Sequence, residues 1–197
     1  VEAVAKGTVA GTYTGDITAA EDVVIKDGET DVTGNYTVTT APGTLVITGV
    51  AGEISIAAAS SSHVYDGEAY TDATWTDNAE GILLDGDELV VTVEGSATNV
   101  GDEGKNVVTS YKVMRGGADV TKSYSFAEPA DGKLTITPRP VTFTGNGGTV
   151  AYNGSEQSVS GFTTNDGEGT GLVPGHSSNV EAVAKGTVAG TYTGDIT

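Results

Sequence analysis

The amino-acid sequence predicts an all-β protein, and three observations support this class. The apolar residues occur in short runs that alternate with polar residues and are rich in Val and Thr, as is typical of β-strands. The 197 residues include 29 glycines and only 6% aromatic residues, which predicts many turns and small cores. No segment of ten residues carries the apolar spacing of an amphipathic helix, although residues 79–84 could form one helical turn.

The strand signals are short runs bounded by Gly, Asp, Asn or Pro. In chain order they cover residues 23–25, 36–39, 44–48, 53–56, 89–93, 106–114, 133–137 and 141–144. Tight turns are predicted where Gly follows Asp or Asn, because Gly accepts the positive φ that such turns require. These pairs are Asp27-Gly28, Asp66-Gly67, Asp131-Gly132 and Asn153-Gly154. We expect sandwich-like antiparallel modules, with β-grasp-like modules containing one short helix as the alternative.

A verbatim repeat determines how the chain is organised. The same 18 residues, VEAVAKGTVAGTYTGDIT, form residues 1–18 and residues 180–197. Val1 therefore corresponds to Val180, which is a period of 179 residues. An identical stretch of this length indicates a tandem array rather than one compact enzyme domain.

A second, diverged repeat lies within this period. Residues 30–49 are similar to residues 118–138, because each contains Asp-Val-Thr, then a Tyr, then a Gly and a Leu-x-Ile-Thr strand. The corresponding landmarks are Tyr36 with Tyr124, Leu45 with Leu134, and residues 151–154 with residues 64–67. Two modules of nearly equal length, A and B, therefore alternate along the chain.

The period also predicts the module boundaries. Residues 1–49 are expected to be the C-terminal part of a module A, residues 50–138 a complete module B, and residues 139–197 the N-terminal part of the next module A. A split module leaves strand edges and apolar faces unpaired. We therefore expect it to be completed head to tail by a neighbouring copy, either the next repeat of one continuous chain, which we favour, or a separate chain. The short joint at Pro138-Arg139-Pro140 predicts a stiff rod.

Charge and composition argue against several functions. Nine basic residues against 27 acidic residues give a net charge of −18, which disfavours nucleic acid and anionic membrane surfaces as partners. The absence of cysteine excludes disulfides, thiol nucleophiles and zinc-thiolate sites. No run of about 18 apolar residues and no basic-then-apolar start is present, so we expect neither membrane insertion nor a signal peptide in this stretch.

No residues have the spacing of a catalytic, cofactor or metal site, so none of these sites is predicted and an enzyme is not expected. The two histidines, His63 and His176, lie in different modules beside Ser-rich turns, and Ser60–Ser62 alternate between the faces of a strand. The acidic loops lack the complete calcium-loop pattern, which leaves bound calcium as an alternative to solvated carboxylates. These loops contain Asp77, Asn78, Glu80, Asp85, Asp87, Glu88, Asn165, Asp166 and Glu168.

Two groups of residues are candidates for special roles. An isopeptide crosslink needs a buried lysine beside an acid, and the candidate lysines are Lys26, Lys105, Lys112 and Lys133. Trp75, Tyr65, Tyr70 and Tyr111 could form a platform for stacking sugars, but such residues more often fill a module core.

The motifs that recur in order are Val64-Tyr-Asp-Gly67, Glu94-Gly-Ser-Ala-Thr-Asn-Val-Gly101, Asp119-Val-Thr121 with Tyr124, Gly132-Lys-Leu-Thr-Ile-Thr137, Ala10-Gly-Thr-Tyr-Thr-Gly15, Asp31-Val-Thr-Gly-Asn-Tyr36 and Gly43-Thr-Leu-Val-Ile-Thr48. Together they resemble the MBG-type tandem repeats of bacterial surface adhesins, over essentially the whole chain. Asn153 departs from the Tyr-Asp-Gly pattern, a change that a turn tolerates.

This resemblance implies an extracellular module at the bacterial cell surface that carries no catalytic residues. It implies a structural stalk, or a filament-forming repeat, that projects an adhesin or forms a fibre. A module that binds host glycan or mucin through multivalency is the alternative.

Overall fold

A computed structural model describes residues 4–15 and 23–197, and the regular structure of these residues is almost entirely β. The prediction of an all-β chain is confirmed. The described strands are β1 (Gly11–Gly15), β2 (Lys26–Asp27), β3 (Thr30–Asp31), β4 (Gly43–Ile47), β5 (Glu53–Ile54), β6 (Ile56–Ala58), β7 (Ser61–Val64), β8 (Trp75–Asp77), β9 (Asp87–Glu94), β10 (Gly104–Arg115), β11 (Ala118–Asp119), β12 (Ser125–Phe126), β13 (Gly132–Thr137), β14 (Phe143–Gly145), β15 (Gln157–Ser160), β16 (Phe162–Thr164), β17 (Ala182–Gly186) and β18 (Asp195–Ile196). Two 3₁₀ turns cover Thr33–Asn35 and Thr121–Ser123.

The chain divides into two compact units. Unit 1 comprises the described residues of Val1–Ala59, Ala73–Glu94 and Val107–Asp131. Unit 2 comprises Ser60–Asp72, Gly95–Asn106 and Gly132–Thr197. The residues expected to form module B thus contribute to both units, and the module boundaries at 49/50 and 138/139 stay predictions.

Unit 1 is organised around the long strand β10. This strand pairs antiparallel with β9, where Val113 lies opposite Leu89, and with the short strand β11. The β10–β11 hairpin turns through Gly116 and Gly117, whose φ angles of 54° and 86° favour glycine at both positions. The antiparallel pairs β1–β4, β2–β3 and β6–β8 and the parallel pair β5–β12 complete the sheets of this unit.

The core of unit 1 follows from the alternation of apolar and polar residues along its strands. Its buried residues are Ile54, Ile56, Ala79, Val113, Val120 and Tyr124. Trp75 and Tyr111 pack against this cluster, and the ring of Tyr111 lies 4.5 Å from that of Phe126. The predicted helical turn forms at Ala79, whose carbonyl accepts hydrogen bonds from the N–H groups of Ile82 and Leu83.

Unit 2 is built on β13. This strand pairs parallel with β7, with Leu134 opposite Ser61, and antiparallel with the first residues of β10. Leu134 and Ile136 are buried with Ala97, and Tyr65 and Tyr70 cover them. The other sheets of this unit are β14–β16 and β15–β17–β18.

Several local predictions differ from the structure. Residues 23–25 and 36–39 were expected to be strands, but no described residue forms a ladder with them, and a strand persists only where a neighbouring backbone completes its hydrogen bonds. Gly132 does not form a turn; it is buried at the start of β13. The other three predicted glycine turns have positive φ angles: 58° at Gly28, 88° at Gly67 and 80° at Gly154.

Candidate functional site

The Asp-Val-Thr turn occurs twice with the same geometry. Asp31 Oδ1 accepts hydrogen bonds from the Thr33 hydroxyl at 2.6 Å and from the Thr33 N–H at 2.9 Å. Asp119 Oδ1 accepts the same two bonds from Thr121, at 2.6 Å and 3.0 Å. The threonine hydroxyl, followed by its N–H, lowers the pKa of each aspartate because both bonds stabilise the charged carboxylate. The two carboxylates therefore stabilise the turns in which they lie.

The threonine of each turn also holds the preceding strand. The Thr121 hydroxyl oxygen accepts a hydrogen bond from the N–H of Val113 at 2.9 Å, and Thr33 accepts one from Ile25 at 2.8 Å. In both turns the intervening valine N–H donates to the carbonyl of that same residue, Ile25 or Val113. The two segments that were aligned by sequence therefore share their hydrogen-bond pattern.

Thr121→Val is expected to lower the free energy of unfolding by about 1–2 kcal/mol, because it leaves the N–H of the buried residue Val113 without its acceptor. Thr33→Val is the matched control. It should cost less, because Ile25 is only partly buried and its N–H can bond to water. Urea unfolding of both variants measures the difference, and equal losses would contradict this account of the turn.

A second polar cluster of unit 1 joins Tyr124, Asp87 and Arg115. Asp87 Oδ2 accepts a hydrogen bond from the Tyr124 hydroxyl, and Oδ1 accepts one from Arg115 Nε at 2.5 Å. Asp87 was expected to be a solvated loop carboxylate, which is wrong: its side chain is only 2% exposed. The bond from Arg115 is the main cause that lowers the pKa of Asp87, and burial is the main cause that raises the pKa of Tyr124.

Asp87→Asn is expected to destabilise unit 1 by about 1–2 kcal/mol at neutral pH, because the charged hydrogen bonds to Arg115 and Tyr124 are weakened. The folded-state pKa of Asp87 lies below its unfolded value of about 3.9. Its contribution is therefore complete above that value and is lost as the pH falls through the folded pKa. The unfolding free energies of wild type and variant are measured from pH 7 to pH 2, and we expect them to become equal at the acid end.

The control for this titration is Asp85→Asn, at an exposed residue whose backbone carbonyl, rather than its side chain, contacts Arg115. This variant should follow the wild-type curve. If the difference in unfolding free energy between wild type and Asp87→Asn were as large at pH 2 as at pH 7, loss of the ion pair would not explain it.

The histidine and serine residues of unit 2 do not form a catalytic relay. His63 lies within strand β7 and not in a turn, its ring stacks on Tyr70 at 4.8 Å, and its Nε2 lies 2.9 Å from Asp66. The Ser61 hydroxyl instead donates to Asp72 at 2.6 Å and accepts from Tyr70 at 2.9 Å. Ser61 and His63 thus bond to different aspartates, Asp72 and Asp66, and not to each other. The Glu68 N–H is the main cause that lowers the pKa of Asp66.

The acidic loops use their oxygens within the protein. Asp77 accepts the N–H of Ala79, Asn78 accepts that of Ser55, and Asn165 accepts that of Thr142. In the part of the chain that the structure describes, no three His, Asp or Glu side chains are grouped closely enough to hold a metal ion. No helix within residues 4–15 and 23–197 has the length and apolarity of a membrane span.

The four lysines considered for an isopeptide crosslink are all exposed, which removes the burial that this chemistry requires. Lys112 Nζ comes within 4.0 Å of Asp119, but both side chains are more than half exposed. The aromatic residues considered for a sugar platform pack against core clusters instead, Trp75 and Tyr111 in unit 1 and Tyr65 and Tyr70 in unit 2.

Unit 2 contains an open groove of about 410 Å³. It is lined by Tyr152 and by residues 148–150, 157–159 and 184–192. The side chain of Tyr152 is 67% exposed and that of Val150 is 59% exposed, so apolar surface faces solvent at this groove.

No protein-family model, no curated protein and no solved structure matches the chain.

Proposed function

We propose that the chain is a structural repeat of an extracellular protein at the bacterial cell surface, of the MBG type, which forms a stalk or fibre and has no enzymatic activity. The modules are sandwich-like, antiparallel and arranged in tandem. The observation that carries this proposal is the verbatim repeat of residues 1–18 at 180–197, together with the second repeat whose two Asp-Val-Thr turns share one geometry.

A stalk requires joints that resist bending, and hydrogen bonds support this at both predicted module boundaries. Near the first boundary, in unit 1, the Val50 N–H donates to the Ser123 carbonyl at 2.7 Å, and the Ala10 N–H donates to the Ser123 hydroxyl. Near the second, in unit 2, Arg139 donates to the carbonyls of Gly171 and Thr170 at 2.8 Å and 2.7 Å. The Ala10 bond crosses the first boundary, and a longer bond of 3.5 Å from Arg139 to the Tyr65 carbonyl crosses the second. The other three bonds each lie within one predicted module.

The polar groups of the described residues also favour a structural role. The carboxylates of Asp31, Asp87 and Asp119 all bond to neighbouring side chains or turns. The net charge of −18 keeps closely spaced copies apart and discourages pairing of exposed sheet edges between fibres.

Electron microscopy of chains with one, two and four periods tests the proposal. We expect rods whose length rises in proportion to the number of periods; particles that grow as compact globules would overturn it. A glycan array and a mucin titration with the same chains test the alternative function. Specific binding by a single period would favour an adhesive module over a spacer.

A further inference from the structure

Strands β4 and β13 hold equivalent places in the two repeats but differ in burial. In β13 the side chain of Leu134 is 0% exposed, whereas its counterpart Leu45 in β4 is 38% exposed. The reason is pairing: β13 has β7 as a parallel neighbour, whereas among the described residues β4 pairs only with β1. One edge and one face of β4 thus lack the cover that β13 has.

The groove of unit 2 has the lining that would supply this cover. By the repeat alignment, Tyr152, Gln157 and Gly186 correspond to Tyr65, Tyr70 and Ala97. The latter three surround Leu134 and Ile136 in the core of unit 2. Residues 148–151 correspond to β7 but belong to no strand, and residues 148–150 line the groove. The groove therefore matches a core from which the leucine-bearing strand is missing.

The strand pairings of residues 139–197 agree with those of residues 50–106. Ile56 pairs with Asp77 in β6–β8, and at the equivalent positions Phe143 pairs with Thr164 in β14–β16. The bridge between Tyr70 and Ala97 likewise recurs as the pair Gln157 and Gly186. These pairs join equivalent positions, so part of the pairing of module B recurs in the first half of module A.

The failed strand prediction at residues 36–39 follows the same division. In module B, Phe126 of β12 pairs with Ile54 of β5, and Tyr124 is 8% exposed. Their counterparts are Val38 with Val141, which form no strand, and Tyr36, which is 58% exposed. The two missing pairings described here, Val38 with Val141 and β4 with residues 148–151, each join a residue of 1–49 to a residue of 139–179.

We propose that residues 45–48 of one repeat insert as a parallel strand beside residues 148–151 of the preceding repeat in the same polypeptide. The register copies that of β13 and β7, with Leu45 opposite Gly148, Val46 opposite Thr149, Ile47 opposite Val150, and Thr48 opposite Ala151. Leu45 and Ile47 fill the groove beside Tyr152. This inference rests on the proposed function, because it takes the chain to be a tandem array, and it specifies how two copies join.

A matching turn in the two modules supports this partnership. The turn before Asp87 and the turn before His176 have the same bond, from the N–H of each residue to the carbonyl three positions earlier, at 2.9 Å. Asp87 binds Arg115, and the repeat alignment places Asp27 at the position of Arg115 and His176 at that of Asp87. Asp27 and His176 thus occupy the two positions that Arg115 and Asp87 bond across in module B.

Disulfide trapping tests the register, since the chain has no cysteine of its own. The test protein is the full chain extended at its carboxyl end by residues 19–197, which continues the period. It carries Thr149→Cys in the first copy and Val46→Cys in the second, at positions whose counterparts Ser62 and Thr135 are Cα partners. We expect the disulfide to close under mild oxidation in most molecules, because such partners fall within the Cα distance that a disulfide spans.

The matched control replaces Val46→Cys by Thr44→Cys, two residues along the same strand, and should crosslink at least about tenfold more slowly because its Cα lies outside that distance. Equal crosslinking of the two proteins, or none in either, would overturn the proposed register. As a second measurement, Leu45→Ala in the second copy should destabilise the extended chain far more than Leu45→Ala in the first copy. Equal effects would overturn the proposal.

The outcomes separate this inference from the stalk function. If electron microscopy shows rods but the Val46–Thr149 crosslink does not form, the proposed register is wrong and the stalk function stands. If the crosslink forms but the particles are compact, the stalk function is wrong and the strand pairing stands.

Discussion

Leu134→Ala is expected to lower the free energy of unfolding of unit 2 by about 2–5 kcal/mol. The Leu134 side chain is 0% exposed and packs in the small cluster of Ala97 and Ile136. Its removal loses the transfer free energy of the buried methyl groups and leaves a cavity that the paired strands β7 and β13 cannot close. Urea unfolding followed by hydrogen exchange of the β13 amides measures this loss in unit 2 itself.

Leu45→Ala is the matched control, because Leu45 occupies the same place in the other repeat and is 38% exposed. In the 197-residue chain it should cost well under half as much as Leu134→Ala. If the two variants lost the same free energy of unfolding, the burial of the leucine side chain would not determine its contribution to stability.

Gly95→Ala is expected to destabilise unit 2 by about 3 kcal/mol, at the upper end of what overpacking costs. A Cβ at this position would lie 2.2 Å from the carbonyl oxygen of Lys105 and 2.9 Å from the Cα of Asn106. These are backbone atoms of strand β10, which is paired with β13 at this point, so they cannot move aside without breaking the ladder.

The control for this substitution is Gly147→Ala, where an added Cβ meets nothing within 4 Å. It should leave the free energy of unfolding within about 0.5 kcal/mol of wild type. Hydrogen exchange of residues 104–106 and 132–134 in both variants shows whether the loss lies in the β10–β13 ladder. A Gly95→Ala protein with wild-type protection there would contradict the predicted clash.

Much of the fold could be predicted from the sequence, because local alternation is enough to identify a strand that has its partner. Strands β4, β9, β10 and β13 all lie within two residues of their predicted positions. Residues 23–25 and 36–39 show the limit of this reasoning. Their alternation is as good, but a strand also needs a neighbour, and which backbone supplies it is decided by residues far away in the chain.

The same limit explains what was missed in the candidate site. Asp87 and Tyr124 are far apart in the sequence, so nothing local distinguishes this buried carboxylate from the exposed ones beside it. The only available signal was the tyrosine that follows each Asp-Val-Thr turn, which marked the position without identifying its partner. The groove could not be predicted at all, because its walls come from three separate stretches of unit 2.

The parallel pairing of β7 with β13 has a consequence for biosynthesis. Ser61 leaves the ribosome long before its partner Leu134 is made. At about 5–20 residues per second, β7 waits roughly 4–15 seconds for that partner. During this interval its backbone edge is available to any other nascent strand, and a repetitive polypeptide offers near copies of the correct one. Chaperones that hold emerging segments apart should therefore raise the yield of correctly paired molecules.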